Sequence, residues 1–286
     1  MNIVFQINGG LGKSVAATAV CKSIKEKYPD SFLIVLTGHP DVFLNNPNVD
    51  RCLKYGEFKY FYKDYLEGKE FIYLGQEPYS TDDYLKSKCS LVEIWCKLYD
   101  LPFIQSHGDI YLNRREIDFY SRKYNLDGNY VVMQTSGNSG DMLYNWSRDI
   151  PPSFVNKVVG KLNGQKIYHV KNEGQISYDG TIPFIDNIRA VMVLISMSKS
   201  RIFMDSSCQH IAAAMGLPSN VFWIATSSKV FGYDFNNNIQ ANPETKVVSL
   251  QNSFLQKYEL VSPISDFPYN NEEEVFTTES LNSIIL

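Results

Sequence analysis

Asn8-Gly9-Gly10-Leu11-Gly12-Lys13-Ser14 is the first stretch of the chain whose residue types could do chemistry. Glycines let a backbone come close to a ligand and free N–H groups at a helix start to hold an anion. A phosphate loop of the G-x-x-x-x-G-K-[ST] type would need glycine where Ile7 stands, and the variant that opens on lysine has Asn8 there instead. Ile202-Phe203-Met204-Asp205 could supply the acidic strand that such a loop uses, but it lies far along the chain. The plain structural alternative is a tight strand-to-helix turn with an exposed lysine. Three glycines in the four positions 9–12 favour a ligand-facing loop.

A second constellation runs from Asp205-Ser206-Ser207-Cys208-Gln209-His210 through Ala212-Ala213-Ala214 to Gly216-Leu217-Pro218. An apolar strand ends in Asp-Ser and a small-residue helix begins, with Ser206 and His210 four apart on one face. Donors at a helix start beside the carboxyl edge of a parallel sheet make a phosphate or nucleotide site. The alternative makes Asp205 or Ser206 a plain N-cap and His210 a core residue. A third group places Gln134-Thr135-Ser136-Gly137 after a strand and Arg148 before Pro151-Pro152. Thr135, Ser136 and Arg148 are of the types that hold a diphosphate, although alone this stretch reads as a solvated loop.

Alternating elements must position these groups. Residues 2–7 and 32–36 are apolar strand runs, with a helix over 14–27 between them, so the first two strands should be parallel. A strand at 71–74, a helix around 83–99, an extended segment at 107–112 and a helix at 114–123 follow. A second half opens near Asp127-Gly128-Asn129, with strands at 130–134, 165–170, 201–204 and 220–224. Helices over 151–162, 186–198 and 206–215 alternate with them; Ile188, Val191, Met192 and Ile195 mark the buried face of the middle one. Two consecutive α/β halves predict two Rossmann-like sheets with a cleft between them.

The 286 residues suit one large domain or two modest ones. Hydrophobic residues at 44% and charged ones at 20% exclude a disordered or collagen-like chain. The net charge of −4 disfavours a dedicated nonspecific nucleic-acid binder. Five cysteines at irregular spacing, without a Cys-x-x-Cys, read as reduced thiols. The amino end lacks a signal-peptide pattern and no apolar run spans a membrane, so the expected location is the cytoplasm, or a host's cytoplasm for a phage protein.

Taken in order, these pieces resemble glycosyltransferase family 9, the ADP-heptose:lipopolysaccharide heptosyltransferase-like proteins. The likeness rests on the glycine-rich first turn, Lys25-Glu26-Lys27-Tyr28-Pro29, Asn46-Pro47-Asn48-Val49-Asp50, Arg148-Asp149-Ile150-Pro151 and above all Asp205–Pro218, where Ser207 replaces the family's usual glycine. The resemblance implies a GT-B fold: two Rossmann-like domains with mainly parallel sheets facing across a cleft, acceptor bound by the first and donor by the second. It places the acceptor domain at 1–126, the nucleotide-sugar domain at 127–265, and a tail at 266–286 that packs back on the first domain, with a final helix over 278–285. It implies inverting transfer from a nucleotide-diphosphate sugar as co-substrate, with no cofactor and no metal; the chain has no Asp-x-Asp. Arg148 would stabilise the leaving diphosphate. Thr135, Ser136, Ser206 and His210 would hold the donor phosphates, Glu173 the nucleoside, and Asp205 and Ser207 would complete the donor site. Asn8, Gly9, Gly10, Gly12 and Lys13 would form the acceptor-side loop.

One departure bears on catalysis. Heptosyltransferases carry an acid in that first turn as the proposed base, whereas here Gly12 is followed by Lys13, a poor base at its ordinary pKa. Asp109, Asp141 and His39 are alternative bases, or Lys13 holds a phosphate. The acceptor is then a glycan or a hydroxymethylated base in phage DNA; a basic groove from Lys13, Lys54, Lys59 and Lys63 would favour DNA. A deviant P-loop ATPase and a catalytically inactive nucleotide-sugar-binding module are the readings from other classes.

Overall fold

The computed structural model describes residues 1–137, 144–242, 267 and 269–286. The chain divides into two compact units, Met1–Asn113 and Arg114–Leu286.

The first unit is a parallel sheet of β1 (Asn2–Ile7), β2 (Phe32–Thr37), β3 (Arg51–Lys54) and β4 (Phe71–Leu74) in the order β3-β2-β1-β4. The inner strands β1 and β2 are near-continuous apolar runs, as strands covered on both faces must be. Helix α1 (Leu11–Lys27) returns between them and buries Val15, Ala16, Ala19, Val20 and Ile24. It starts three residues earlier than the apolar spacing predicts, because Gly9 (φ +105°) and Gly10 complete the turn at once.

The single helix expected around 83–99 is instead two, α2 (Asp82–Leu85) and α3 (Leu91–Leu98). Ser87 takes a left-handed conformation (φ 47°) and Ser90 caps α3 by accepting the Glu93 N–H at 3.3 Å. Phe5 meets Trp95 of α3 edge-on at 5.5 Å. β3 escapes sequence reading because Arg51-Cys52-Leu53-Lys54 is a short, half-exposed edge strand with no apolar run. The segment at 107–112 joins no sheet; Gly108 lies flat on α1, where a Cβ would stand 2.2 Å from the Val15 carbonyl oxygen.

The second unit begins with α4 (Arg114–Tyr124), before the expected boundary at 126/127. Its side chains explain why. Glu116 holds Arg189 through two bonds of 2.7 and 2.8 Å, Lys123 pairs with Asp186 at 2.9 Å, and Tyr124 packs on Phe184 at 4.8 Å. The sheet contains β5 (Tyr130–Met133), β6 (Lys166–Val170), β7 (Ile182–Phe184), β8 (Ser200–Met204), β9 (Asn220–Trp223) and β10 (Asn237–Gln240). All pair in parallel, in the order β10-β9-β8-β5-β6-β7. Helices α5 (Pro152–Lys161), α6 (Ile188–Met197), α7 (Ser207–Ala214) and α8 (Ser228–Phe231) connect the strands; α6 buries Val191, Met192 and Ile195 of its predicted face, with Ile188 half-buried.

The tail also departs from expectation. Its described residues, ending in α9 (Thr278–Asn282) rather than a helix to 285, pack on the second unit's own core. Phe276 touches Phe154 at 5.2 Å and Phe222 at 4.9 Å. Asn220 clasps Ile285, donating to its carbonyl at 2.8 Å and accepting its N–H at 2.9 Å. The apolar residues Val275, Phe276 and Ile284 complete the layer over α5 and β9. Among the described residues no helix is long and apolar enough to cross a membrane, and all five cysteines are free thiols.

Candidate functional site

In an open parallel sheet, ligands bind outside the carboxyl ends of the strands where the strand order reverses. In the second unit that point falls between β5 and β8, since β6 and β7 are added on one side and β9 and β10 on the other. The residues leaving β5 are Gln134–Gly137 and those leaving β8 are Asp205–Ser207. The second and third sequence constellations therefore meet at one sheet edge. The Ser206 hydroxyl donates to the Gln134 side-chain oxygen, bridging the two strand ends.

Arg148 joins the same edge. One guanidinium nitrogen donates to the main-chain carbonyl of Asp205 and stands 3.7 Å from its carboxylate. The Arg148 Nε is buried without a hydrogen-bond partner, while the side chain as a whole is 37% exposed. The guanidinium thus has donor capacity left at the edge. Asp149, which the sequence shows only as part of a loop motif, fixes the loop that presents it. Its carboxylate is buried and accepts the N–H of Gly137 at 2.9 Å and of Asn145 at 2.9 Å; burial pushes its pKa up. The Ile150 N–H reaches the Thr135 carbonyl and the Ala225 N–H the Ser147 carbonyl, each at 2.9 Å, so the loop is tied to the ends of β5 and β9.

The other predicted donor residues are placed as follows. Ser206 is the N-cap of α7, but its hydroxyl is turned to Gln134 and makes no cap bond to the first-turn N–H groups. Asp205 does not cap either; it is buried beside Arg148. Ser207 opens α7, half-buried, and Ser136 is half-buried after β5. Glu173 is exposed on the turn after β6, whose Gln175 donates to the Gly137 carbonyl at 2.6 Å. Thr135 is buried, its hydroxyl 3.0 Å from His169 Nε2. Asp141 lies outside the described residues.

His210 points inward. Its Nδ1 is 2.7 Å from the Tyr233 hydroxyl, and burial pushes its pKa down to about 4. The ring is neutral near pH 7, so the positive charge at this edge comes from Arg148. His169, 0% exposed, is likewise pushed down by burial to about 4. Unfolded histidine titrates near 6.5, so between about pH 6.5 and 4 the unfolded chain binds protons that the folded one does not. Stability is therefore complete above about pH 6.5 and falls as the pH drops toward 4, by up to about 3 kcal/mol for each histidine. Denaturant titrations between about pH 7 and 5 will show this slope, and His210→Gln will roughly halve it.

The first unit has its own switch point, between β1 and β4. Asn8, Gly9 and Gly10 leave β1; Gly12 and Lys13 lie in the first turn of α1; Glu77 follows β4. Lys13 is buried, pairs with the Glu77 carboxylate, and lies 4.7 Å from the Tyr79 ring centre and 5.4 Å from that of Trp95. Burial lowers its pKa, against the raising effect of Glu77. Asn8 donates to the other Glu77 oxygen at 3.2 Å and accepts from the Tyr55 hydroxyl at 2.9 Å. Lys13 is therefore not the exposed lysine of a bare turn. His39 is half-buried on the loop after β2, hydrogen-bonded to the Gly9 backbone, with its pKa lowered mainly by burial. Asp109 sits apart from these groups, on the middle of α1: its N–H donates to the Thr18 hydroxyl at 2.7 Å and its carboxylate accepts from Gln105 at 3.0 Å.

Glu77 went unread in the sequence because Gly75-Gln76-Glu77-Pro78 carries no motif. Only the return of β4 beside β1 brings it to the glycine loop.

No family model matches the sequence, and no curated protein matches it. Solved structures do. A glycosyltransferase family 9 protein from Veillonella parvula matches at 13% identity and TM-score 0.67, over 98% of this chain and 95% of that one. The ADP-heptose lipopolysaccharide heptosyltransferase II of E. coli matches at 12% identity and TM-score 0.64, over 84% and 90%. An E. coli heptosyltransferase solved with ADP matches at 12% identity and TM-score 0.58, over 91% and 99%. At this identity the likeness is one of fold, and the fold is the expected one: the two-sheet α/β architecture of GT-B glycosyltransferases.

Proposed function

We propose that the chain is a glycosyltransferase that moves a sugar from a nucleotide-diphosphate donor to an acceptor hydroxyl, with inversion and without a metal ion. One observation carries this reading: Arg148, the uncapped start of α7 and Ser206 converge where the order of the second sheet reverses. Such an edge suits a diphosphate, because guanidinium and main-chain N–H groups match phosphate oxygens. In the transfer step the acceptor oxygen bonds the anomeric carbon as the carbon–phosphate-oxygen bond breaks. The bonding pair leaves with the nucleoside diphosphate, whose growing charge Arg148 meets. The absence of Asp-x-Asp supports a metal-independent route.

A glycan acceptor is favoured over modified DNA. Of the four lysines a DNA groove would use, Lys13 is paired with Glu77 and Lys54 with Glu57 at 2.6 Å. The ATPase reading is weakened by the same contact, which turns the Lys13 ammonium onto a carboxylate and two aromatic rings. The heptosyltransferase-like fold makes ADP-heptose the first donor to try. A thermal-shift screen of ADP-heptose and of UDP-, ADP-, GDP- and CMP-sugars tests the proposal, since a ligand at about a hundred times its Kd adds about 2.7 kcal/mol to stability. One donor class is expected to raise the melting temperature and to release its nucleotide on addition of acceptor. Binding without release would leave an inactive sugar-nucleotide module, and ATP hydrolysis abolished by Lys13→Ala would replace the reading.

A further inference from the structure

We infer that Glu77 is the catalytic residue that takes the proton of the acceptor hydroxyl, with Lys13 as the positioning residue that holds it; this rests on the transferase reading above. The carboxylate stands at the carboxyl edge of the first sheet, where the strand order reverses. Its side chain is 33% exposed, whereas that of Lys13 is 6% exposed. One oxygen is fixed by Lys13 and the other by Asn8, and a carboxylate keeps further lone pairs for a third partner. Tyr79 and Trp95 pack against the Lys13 ammonium, and the Tyr55 hydroxyl donates to Asn8.

Stability alone is a poor reason for this arrangement. Burying a lysine to hold one carboxylate gains little over an apolar pair of the same size. The arrangement instead fixes a partly exposed carboxylate at the sheet edge, with the Asn8 amide and, through it, the Tyr55 hydroxyl beside it, polar groups that suit the hydroxyls of a sugar. A general base must be within hydrogen-bond reach of its proton, and a half-exposed carboxylate can be, while the Lys13 ammonium carries no free lone pair. In the balanced step the acceptor O–H bond breaks, its proton passes to a Glu77 oxygen, and the electrons of that bond form the new bond to the anomeric carbon. The pair from the broken glycosyl–phosphate bond departs on the nucleoside diphosphate.

The test measures nucleoside-diphosphate release from ADP-heptose, UDP-glucose, ADP-glucose and GDP-mannose, with a mixture of methyl glycosides as acceptors, and donor Kd by calorimetry. Glu77→Gln is expected to lower kcat by roughly 10²–10⁴, the usual worth of a positioned base, with donor Kd within about twofold of wild type. Glu77→Ala is expected to regain part of its turnover with added formate, a recovery that a structural role would not give, and Glu77→Asp keeps the test open if either variant fails to fold. Wild-type kcat in Glu77→Gln, or loss of donor binding in step with turnover, would overturn the assignment. A wild-type protein that binds a donor yet never releases nucleotide would overturn the transferase reading, and this assignment with it.

Discussion

Arg148→Ala is expected to lower kcat by roughly 10²–10³ while the protein stays folded, the loss seen when a preorganised charge-stabilising donor is removed. The reason is timing. Charge accumulates on the diphosphate only as the glycosyl bond breaks, so the guanidinium matters more in the transition state than in the bound substrate. Donor Kd should rise far less than kcat falls. Arg148→Lys separates charge from shape: lysine keeps the cation but loses the planar fork, and partial recovery is expected. Single-turnover release of nucleoside diphosphate is the measurement. If Arg148→Ala turned donor over at the wild-type rate, the diphosphate would not lie at the β5–β8 edge.

The second large effect is on stability. Phe276→Ala is expected to destabilise the second unit by about 3–5 kcal/mol, the range for deleting a buried phenylalanine. Phe276 is 1% exposed and packs on both Phe154 of α5 and Phe222 of β9, which already touch each other, so its loss opens a cavity that those two rings cannot fill without giving up their own packing. Hydrogen exchange reads the effect by location. Amides of β8 and β9 should lose protection, while those of β1 and β2 keep theirs. Equal loss in β1 and β2 would mean that the tail supports the first unit after all.

Much of this architecture was legible because parallel sheets announce themselves. Ile3–Phe5 and Leu33–Leu36 are continuous apolar runs, and the helices between them show their spacing. Short edge strands carry no such signal: β3 is half-exposed, β7 is three residues long, and β10 is Asn-Asn-Ile-Gln. The meeting of two of the constellations was legible because Asp205–Pro218 follows β8 and Gln134–Gly137 follows β5, and strands adjacent in the sheet bring their ends together. Their roles were less so. His210 read as a phosphate ligand, but the Tyr233 hydroxyl that holds its ring inward is 23 positions away. Asp149 read as part of a loop motif, and only the folded loop shows its carboxylate gathering Gly137 and Asn145. The unit boundary moved for a similar reason: the Glu116–Arg189 pair that attaches α4 spans 73 positions, beyond any local pattern.

The contact between Arg148 and the Asp205 carbonyl has a consequence for how donor affinity will read. The bond takes one of the guanidinium's five N–H groups and fixes the plane of the others before any donor arrives. A diphosphate that engages the remaining N–H groups meets a side chain whose rotamer freedom is already spent, which favours donor affinity by about 0.5–1.5 kcal/mol over a freely rotating cation.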